Sequence, residues 1–302
     1  MRLFDLHCDT VTACYEQKCS IRNNSSLHIS LERGKRFSPW AQCFAIWIPD
    51  TMRGQKAVDF FAAAASYFEQ ISEITICRTS DDFNKMDTGC YGLLTVEGGA
   101  VLAGELSNIE RLKRHHVRAL TLTWNGSCEL GDGAMVLNPK GLTSFGRQVI
   151  PALEAAEILV DVSHSSDPLF YDVASFATKP FLATHSNSRA VCNHPRNLTD
   201  EQFLEIHRRG GLVGLNLHRW FLKKNGEPTL EDVFRHVYHF LSLGGEKTLA
   251  MGCDFDGGEL PKFLQDIGDL ERLGTYFSQM GLNDRVIDQI FYQNAKEFFD
   301  SL

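Results

Sequence analysis

Leu3-Phe4-Asp5-Leu6-His7-Cys8-Asp9 opens the chain with an apolar run that ends in a histidine and an aspartate two positions apart. Strand side chains alternate between faces, so this run predicts a β-strand with His7 and Asp9 on one face and Asp5 below them on that face. Cys8, between them, points the other way, into the packing behind the strand. A histidine and a carboxylate at one strand end make half of a divalent-metal site. The other half must come from later strand ends.

Apolar runs recur at 41–48, 92–96, 117–124, 158–162, 180–184, 211–217 and 249–253. Segments of helical spacing alternate with them. One covers 55–74, with apolar residues at 57, 58, 60, 61, 64, 65, 68 and 71. Another ends in the basic residues 113–116, which suit a helix C-terminus. Others cover 147–157, 200–209 behind a Thr199 N-cap, and 230–243, and two amphipathic segments finish the chain. Residues 17–38 read as a polar loop and 125–146 as a Gly-rich excursion. Strands apolar along their whole length are covered on both faces, as in a parallel sheet. Eight of them between helices predict a closed (β/α)8 TIM barrel forming one domain over 1–302, with a doubly wound open sheet as the alternative.

The polar residues fall where such a barrel would use them. His7, Asp9, Glu97, His164, His185 and Asp254 each stand at the C-terminal end of a predicted strand. In a barrel those ends converge on the face where active sites are built. Any one of them has a plainer reading: an acid after a strand caps helices and shapes turns, and a single histidine can be a satisfied interior group. Six at equivalent positions point instead to a metal site. Imidazoles with carboxylates suit Zn²⁺, with Mn²⁺, Fe²⁺ or Co²⁺ open by ligand type. Five ligands exceed the roughly three that one catalytic zinc takes from protein. Two ions ~3.5–4 Å apart that share a carboxylate would use them all. On charge, Glu97 is the bridge between a His7/Asp9 ion and a His164/His185 ion.

Bulk properties narrow the class. The chain carries a net charge of −8 and no basic stripe, which argues against a nucleic-acid surface. Nine cysteines, without closely spaced pairs, fit a reduced cytoplasmic protein better than a disulfide framework. Met1-Arg2 runs straight into the first strand without an apolar leader, and no run approaches the ~18 apolar residues of a membrane span. Residues 298–302 carry no lipid-anchor tail. The expected partners are a small substrate and a second copy of the chain in a homodimer, with no nucleic acid and no membrane.

In order along the chain, Asp5-Leu6-His7-Cys8-Asp9, Gln42-Cys43-Phe44-Ala45-Ile46-Trp47, Val96-Glu97-Gly98, Leu120-Thr121-Leu122-Thr123 and Gly141-Leu142-Thr143-Ser144-Phe145-Gly146 are followed by Asp161-Val162-Ser163-His164, Thr184-His185-Ser186, Pro195-Arg196-Asn197 and Gly252-Cys253-Asp254-Phe255-Asp256-Gly257. This succession resembles the membrane dipeptidase (renal dipeptidase) family of zinc peptidases over nearly the whole chain. The resemblance implies a barrel of the metal-dependent amidohydrolase type with a binuclear zinc centre. It implies that His7, Asp9 and Glu97 hold one zinc, and Glu97, His164 and His185 the other. Dipeptides, including those with a C-terminal D-residue, would be hydrolysed by a metal-bridging hydroxide. Arg196 would bind the substrate carboxylate, and Asp254 would lie near the substrate amine and shuttle protons, with Asp256 as its rival.

One position departs from the family. Its animal members place a substrate-binding His after the Leu-Thr-Leu-Thr strand, where this chain has Trp124 and then Asn125. An indole N–H donates one hydrogen bond and cannot shuttle protons. Trp124 and Asn125 are therefore the candidate substrate contacts at that place. Two other readings stand beside dipeptidase: a metal-dependent amidohydrolase acting on lactones, cyclic amides or N-acyl amino acids, and a non-catalytic binding barrel.

Overall fold

In the computed structural model, residues 1–83 and 85–301 are described. The strands are β1 (Leu3–Cys8), β2 (Trp40–Trp47), β3 (Ile74–Ile76), β4 (Cys90–Glu97), β5 (Ala119–Thr121), β6 (Leu159–Asp161), β7 (Val213–Leu215) and β8 (Leu249–Met251). β1 pairs in parallel with β2 and β8, and β4 pairs with β2 and β5. β5 continues to β6, and β7 lies against β8. The gap between β6 and β7 is filled by residues 182–183, through bridges from Asp161 to Leu182 and from Ala183 to Val213. Eight staves thus close a ring, with 182–183 as the sixth, and the alternation of apolar runs and helices is realised as a (β/α)8 barrel.

The strand β3 is an addition to that ring. It lies outside, against the first residues of β4. The helix expected over 55–74 ends at Glu69, and Ile74 begins this strand. Ile74-Thr75-Ile76 is β-branched throughout, which favours the pleat over another helical turn. Four staves are shorter than their apolar runs, spanning 119–121, 159–161, 213–215 and 249–251. The polar loop contains one short helix, Leu31–Gly34, capped by the Ser30 hydroxyl accepting from the Arg33 N–H. The helix expected from 147 begins at Ser144, because the Thr143 hydroxyl accepts from the Gly146 N–H at 2.9 Å. Thr199 caps the helix Asp200–Arg208 as expected, in a reciprocal capping box with Gln202.

Two apolar layers explain why these runs are buried on both sides. One lies between staves and helices and includes Phe44, Phe61, Phe68, Phe170, Phe203 and Phe240. The other fills the barrel with Phe4, Leu6, Ala41, Cys43, Tyr91, Leu93, Ala119, Leu159, Leu182, Leu212 and Ala250, and is closed by Phe298 and Phe299. Alternation carries these inward positions up to the functional end: Leu93 leads through Thr95 to Glu97, Leu212 to Asn216, and Ala250 to Asp254.

β1 breaks that alternation. Asp5 pairs with Gln42 and Cys8 with Phe44, so three steps on β1 oppose two on β2, a register shift of the β-bulge kind. Phe4 and Leu6 both enter the inner layer, yet His7 also faces the barrel mouth. Asp5 therefore does not share the His7 face as strict alternation predicts. Its carboxylate accepts from Gln42 Nε2 at 2.9 Å and from the Cys253 N–H at 2.8 Å. Burial pushes Asp5 up to about 6. Cys8 is fully buried in the outer layer, as expected.

Candidate metal centre and active site

The five expected ligands converge at the barrel mouth. His7 Nε2 lies 3.5 Å from Asp9 Oδ2 and 3.8 Å from Glu97 Oε2. Glu97 Oε1 lies 2.7 Å from His164 Nε2 and 3.3 Å from His185 Nε2. The donor atoms of His7, Asp9 and Glu97 fall within 4.8 Å of one another, as do those of Glu97, His164 and His185. A third set, His7, His185 and Asp254, meets the same limit. Glu97 belongs to the first two sets and is the residue through which they touch.

Local backbone geometry aims these groups. Asp9 is not the last residue of the strand; it is the N-cap of the helix Thr10–Gln17, and its carboxylate turns in from there. Gly98, directly after Glu97, has φ of 116°. A Cβ at Gly98 would also stand 2.8 Å from the Ile48 carbonyl oxygen, so the turn requires glycine. His164 and Asp254 occupy the left-handed region with φ of 65° and 62°. Such conformations are costly for non-glycine residues and collect at functional sites. Gly257 lets the loop after β8 settle on two carboxylates. A Cβ there would lie 2.0 Å from Asp9 Oδ2 and 2.6 Å from Asp254 Oδ1.

A second set of side chains orients the ligands. His164 Nδ1 donates to Asn125 Oδ1 at 3.0 Å. His185 Nδ1 lies 2.8 Å from Thr184 Oγ1, which donates to Asp161 Oδ2 at 2.6 Å. With Nδ1 protonated on both rings, both Nε2 lone pairs face Glu97, the arrangement that metal-binding histidines need. Asn125 thus supports a histidine through its side-chain oxygen while also bordering the cleft.

The charges are unbalanced. Burial opposes a charge on His7, but Glu97, Asp9 and Asp254 together outweigh it and lift His7 to about 10. Glu97 is pushed well above the usual carboxylate range, first by burial and then by Asp9. Burial, then Arg196, holds His164 well below the usual imidazole range; burial, then His7, does the same to His185. Neutral imidazoles beside crowded carboxylates call for cations. His7 Nε2, His185 Nε2 and Asp9 Oδ1 are buried without a hydrogen-bond partner, so unused donor atoms point into the centre. This nitrogen and oxygen set fits divalent metal.

Above the centre lies a cleft of about 320 Å³, bordered by Asp9, Trp47, Glu97, Trp124, Asn125, His164, His218, Phe221 and Asp254. Such a volume is at the lower end for small-molecule sites. A larger hollow of about 700 Å³ beside Cys19 and Tyr67 holds none of the convergent ligands. Trp124 packs edge-on to Trp47 at 4.9 Å. Asp254 presents Oδ1 to His7 at 3.8 Å, and Asn216 Nδ2 holds its Oδ2 at 3.0 Å. Asp256, its rival, also borders the cleft, but both its oxygens are engaged: it accepts from the His28 N–H and from Thr10 Oγ1, both at 2.6 Å. Arg196 is buried, with its guanidinium 5.2 Å above the Phe221 ring and its Nε unpartnered. It is not itself a bordering residue, and among the described residues it has no ion-pair partner.

The seventh stave contributes two residues that a sequence scan restricted to histidines and acids at five strand ends passes over. They are Asn216, which holds Asp254, and His218, which borders the cleft. The signal was present, since a polar pair interrupts the apolar run at its C-terminal end.

The sequence profile of "Membrane dipeptidase (Peptidase family M19)" matches residues 1–300. The chain belongs to the membrane dipeptidase family. An uncharacterized Klebsiella pneumoniae protein of the pqqA 5′ region is 34% identical over 209 residues, covering 66% of this chain and 77% of its own. Human Dipeptidase 3 is 28% identical over 263 residues, which are 83% of this chain but 54% of its own length. The crystal structure of the family M19 metallopeptidase dipeptidase AC superposes with a TM-score of 0.91 at 25% identity, covering 99% and 98% of the two chains. A Rhodobacter sphaeroides metallopeptidase, bound to a phosphinate mimic of L-Ala-D-Ala, gives 0.90 at 24% identity and 99% of each chain. Membership in this metallopeptidase family implies a metal, and the convergent donor sets are where this chain would hold it.

Proposed function

We propose that this member of the membrane dipeptidase family is a zinc-dependent dipeptidase with two ions per chain. The carrying observation is the pair of donor sets joined at Glu97, with unused histidine nitrogens facing them. His7, Asp9 and Glu97 would hold one ion, and Glu97, His164 and His185 the other. Bound ions would supply Lewis-acid polarisation of the scissile carbonyl and lower the pKa of the attacking water.

The chain's own groups do the rest. Asp254, held by Asn216 with Oδ1 toward the centre, takes the proton from the attacking water and delivers it to the leaving amine. Arg196, a buried cation without a protein carboxylate, receives the C-terminal carboxylate of the dipeptide. Burial pushes it down to about 10, which leaves it charged at neutral pH. Trp47 and Trp124 form an aromatic wall, with His218 and Asn125 as further polar neighbours of the substrate. Free thiols at all nine cysteines agree with a reducing, cytoplasmic setting. Among the described residues no helix is long and apolar enough to cross a membrane.

Metal analysis and a panel of L,L and L,D dipeptides test this reading together. Two zincs per chain and release of free amino acids are expected. Metal-loaded protein that cleaves no dipeptide, but opens a lactone or cyclic amide, would move the chain to the other amidohydrolase chemistry.

A further inference from the structure

Arg196 stands in a loop, 187–198, that belongs to no helix or strand. A buried guanidinium on such a loop needs something to fix its Cα. Leu198 donates its N–H to the Asn187 carbonyl, and the Arg189 N–H donates to the Leu198 carbonyl, so the loop's ends are laced together. The Arg189 side chain then reaches along the loop to both neighbours of Arg196. Its Nε donates to the Asn197 carbonyl at 2.7 Å and its Nη2 to the Pro195 carbonyl at 3.2 Å. The remaining edge of the same planar group makes a two-pronged pair with Asp167, at 2.7 Å and 2.8 Å. Asp167 opens the helix Asp167–Phe176, which follows β6, and also accepts from Gln202 Nε2 at 2.9 Å.

We infer that Arg189 is a positioning residue for the substrate-carboxylate anchor: it ties the peptide groups on both sides of Arg196 to Asp167. This inference rests on the dipeptidase reading and on Arg196 as that anchor. One rigid fork joins three acceptors from two parts of the fold. Lysine could reach Asp167 but has no planar fork with which to hold the two carbonyls as well. Orientation is the quantity at stake, since displacing a binding group by about 1 Å can cost roughly a hundredfold. The side chains of Arg189 and Asp167 are partly exposed, so the clamp reaches the outer surface of the barrel mouth while its target is buried.

The test compares metal-loaded wild type, Arg189→Met, Arg189→Lys, Asp167→Asn and Arg196→Met on L-Ala-D-Ala, L-Ala-L-Ala and their C-terminal amides. Arg189→Met is expected to raise KM for the free dipeptides roughly ten- to a hundredfold, with kcat within about twofold. The amides, which lack the anchored charge, should be cleaved by Arg189→Met and wild type alike. Arg189→Lys and Asp167→Asn should shift KM the same way by less. If Arg189→Met and Asp167→Asn slow amides and free dipeptides equally, the residue is only structural and the positioning role is lost. If Arg196→Met raises KM while Arg189→Met does not, positioning alone fails. If Arg196→Met leaves KM unchanged, the anchor reading falls and takes this inference with it.

Discussion

Asn125 shows how much depends on single polar contacts. Its side-chain oxygen accepts from His164 Nδ1 and so fixes which nitrogen faces the centre. Asn125→Leu should therefore lower metal affinity roughly 10- to 100-fold, read by competition with a chelating dye, while the fold survives. His236 offers a contrast, since it is fully buried and serves stability. Its Nδ1 accepts from the Ser188 N–H at 3.2 Å and its Nε2 donates to the Leu222 carbonyl at 3.1 Å. Both bonds need the neutral ring, and burial, the largest cause, pushes its pKa down to about 4. In the unfolded chain the ring takes its proton near 6.5. Between those values the unfolded state binds more protons, so stability falls as pH falls through the window. The stability advantage of wild type over His236→Gln should shrink by about 2 kcal/mol between pH 7 and pH 5, measured by urea unfolding. A constant difference across that range would contradict the assignment.

At the scale of elements, the loop after β8 carries the sharpest steric demand. Gly257→Ala would place a methyl group against Asp9 and Asp254 together. Activity is expected to fall by at least about a hundredfold, with circular dichroism unchanged. Much of this scale could be read from sequence. Most staves announce themselves because their apolar runs end in His, Asp or Glu, and Thr199 announces its helix through Gln202 three residues on. Other features depend on partners distant in the chain. The shift in β1 that turns His7 inward while Asp5 meets Gln42 exists only once β2 lies alongside. Asp256 rivals Asp254 in the same strand-end motif, and the contacts that engage its oxygens come from His28 and Thr10, in two other segments. Ile74-Thr75-Ile76 was absorbed into the preceding helical pattern because its apolar spacing suits either state.

For the whole molecule, the centre concentrates negative charge in a buried place, and cations would relieve it. Binding at a thousand times Kd contributes about 4 kcal/mol to stability. Chelator treatment should therefore lower the thermal midpoint, and added Zn²⁺ should restore it. An unchanged midpoint would mean that the donor sets hold no ion.

The closure of the ring has a mechanical consequence. Residues 182–183 are held to their neighbours by isolated bridges, whereas β2 and β4 pair over eight residues each. His164 follows β6, His185 follows the sixth stave, and Glu97 ends β4, so an ion shared by these three would act as a rivet across a thin seam of the barrel. Amide hydrogens of Leu182, Ala183 and Val213 should then exchange much faster in metal-stripped protein, while those of β2 change little. The same ions that serve hydrolysis would set how often the barrel opens along that seam.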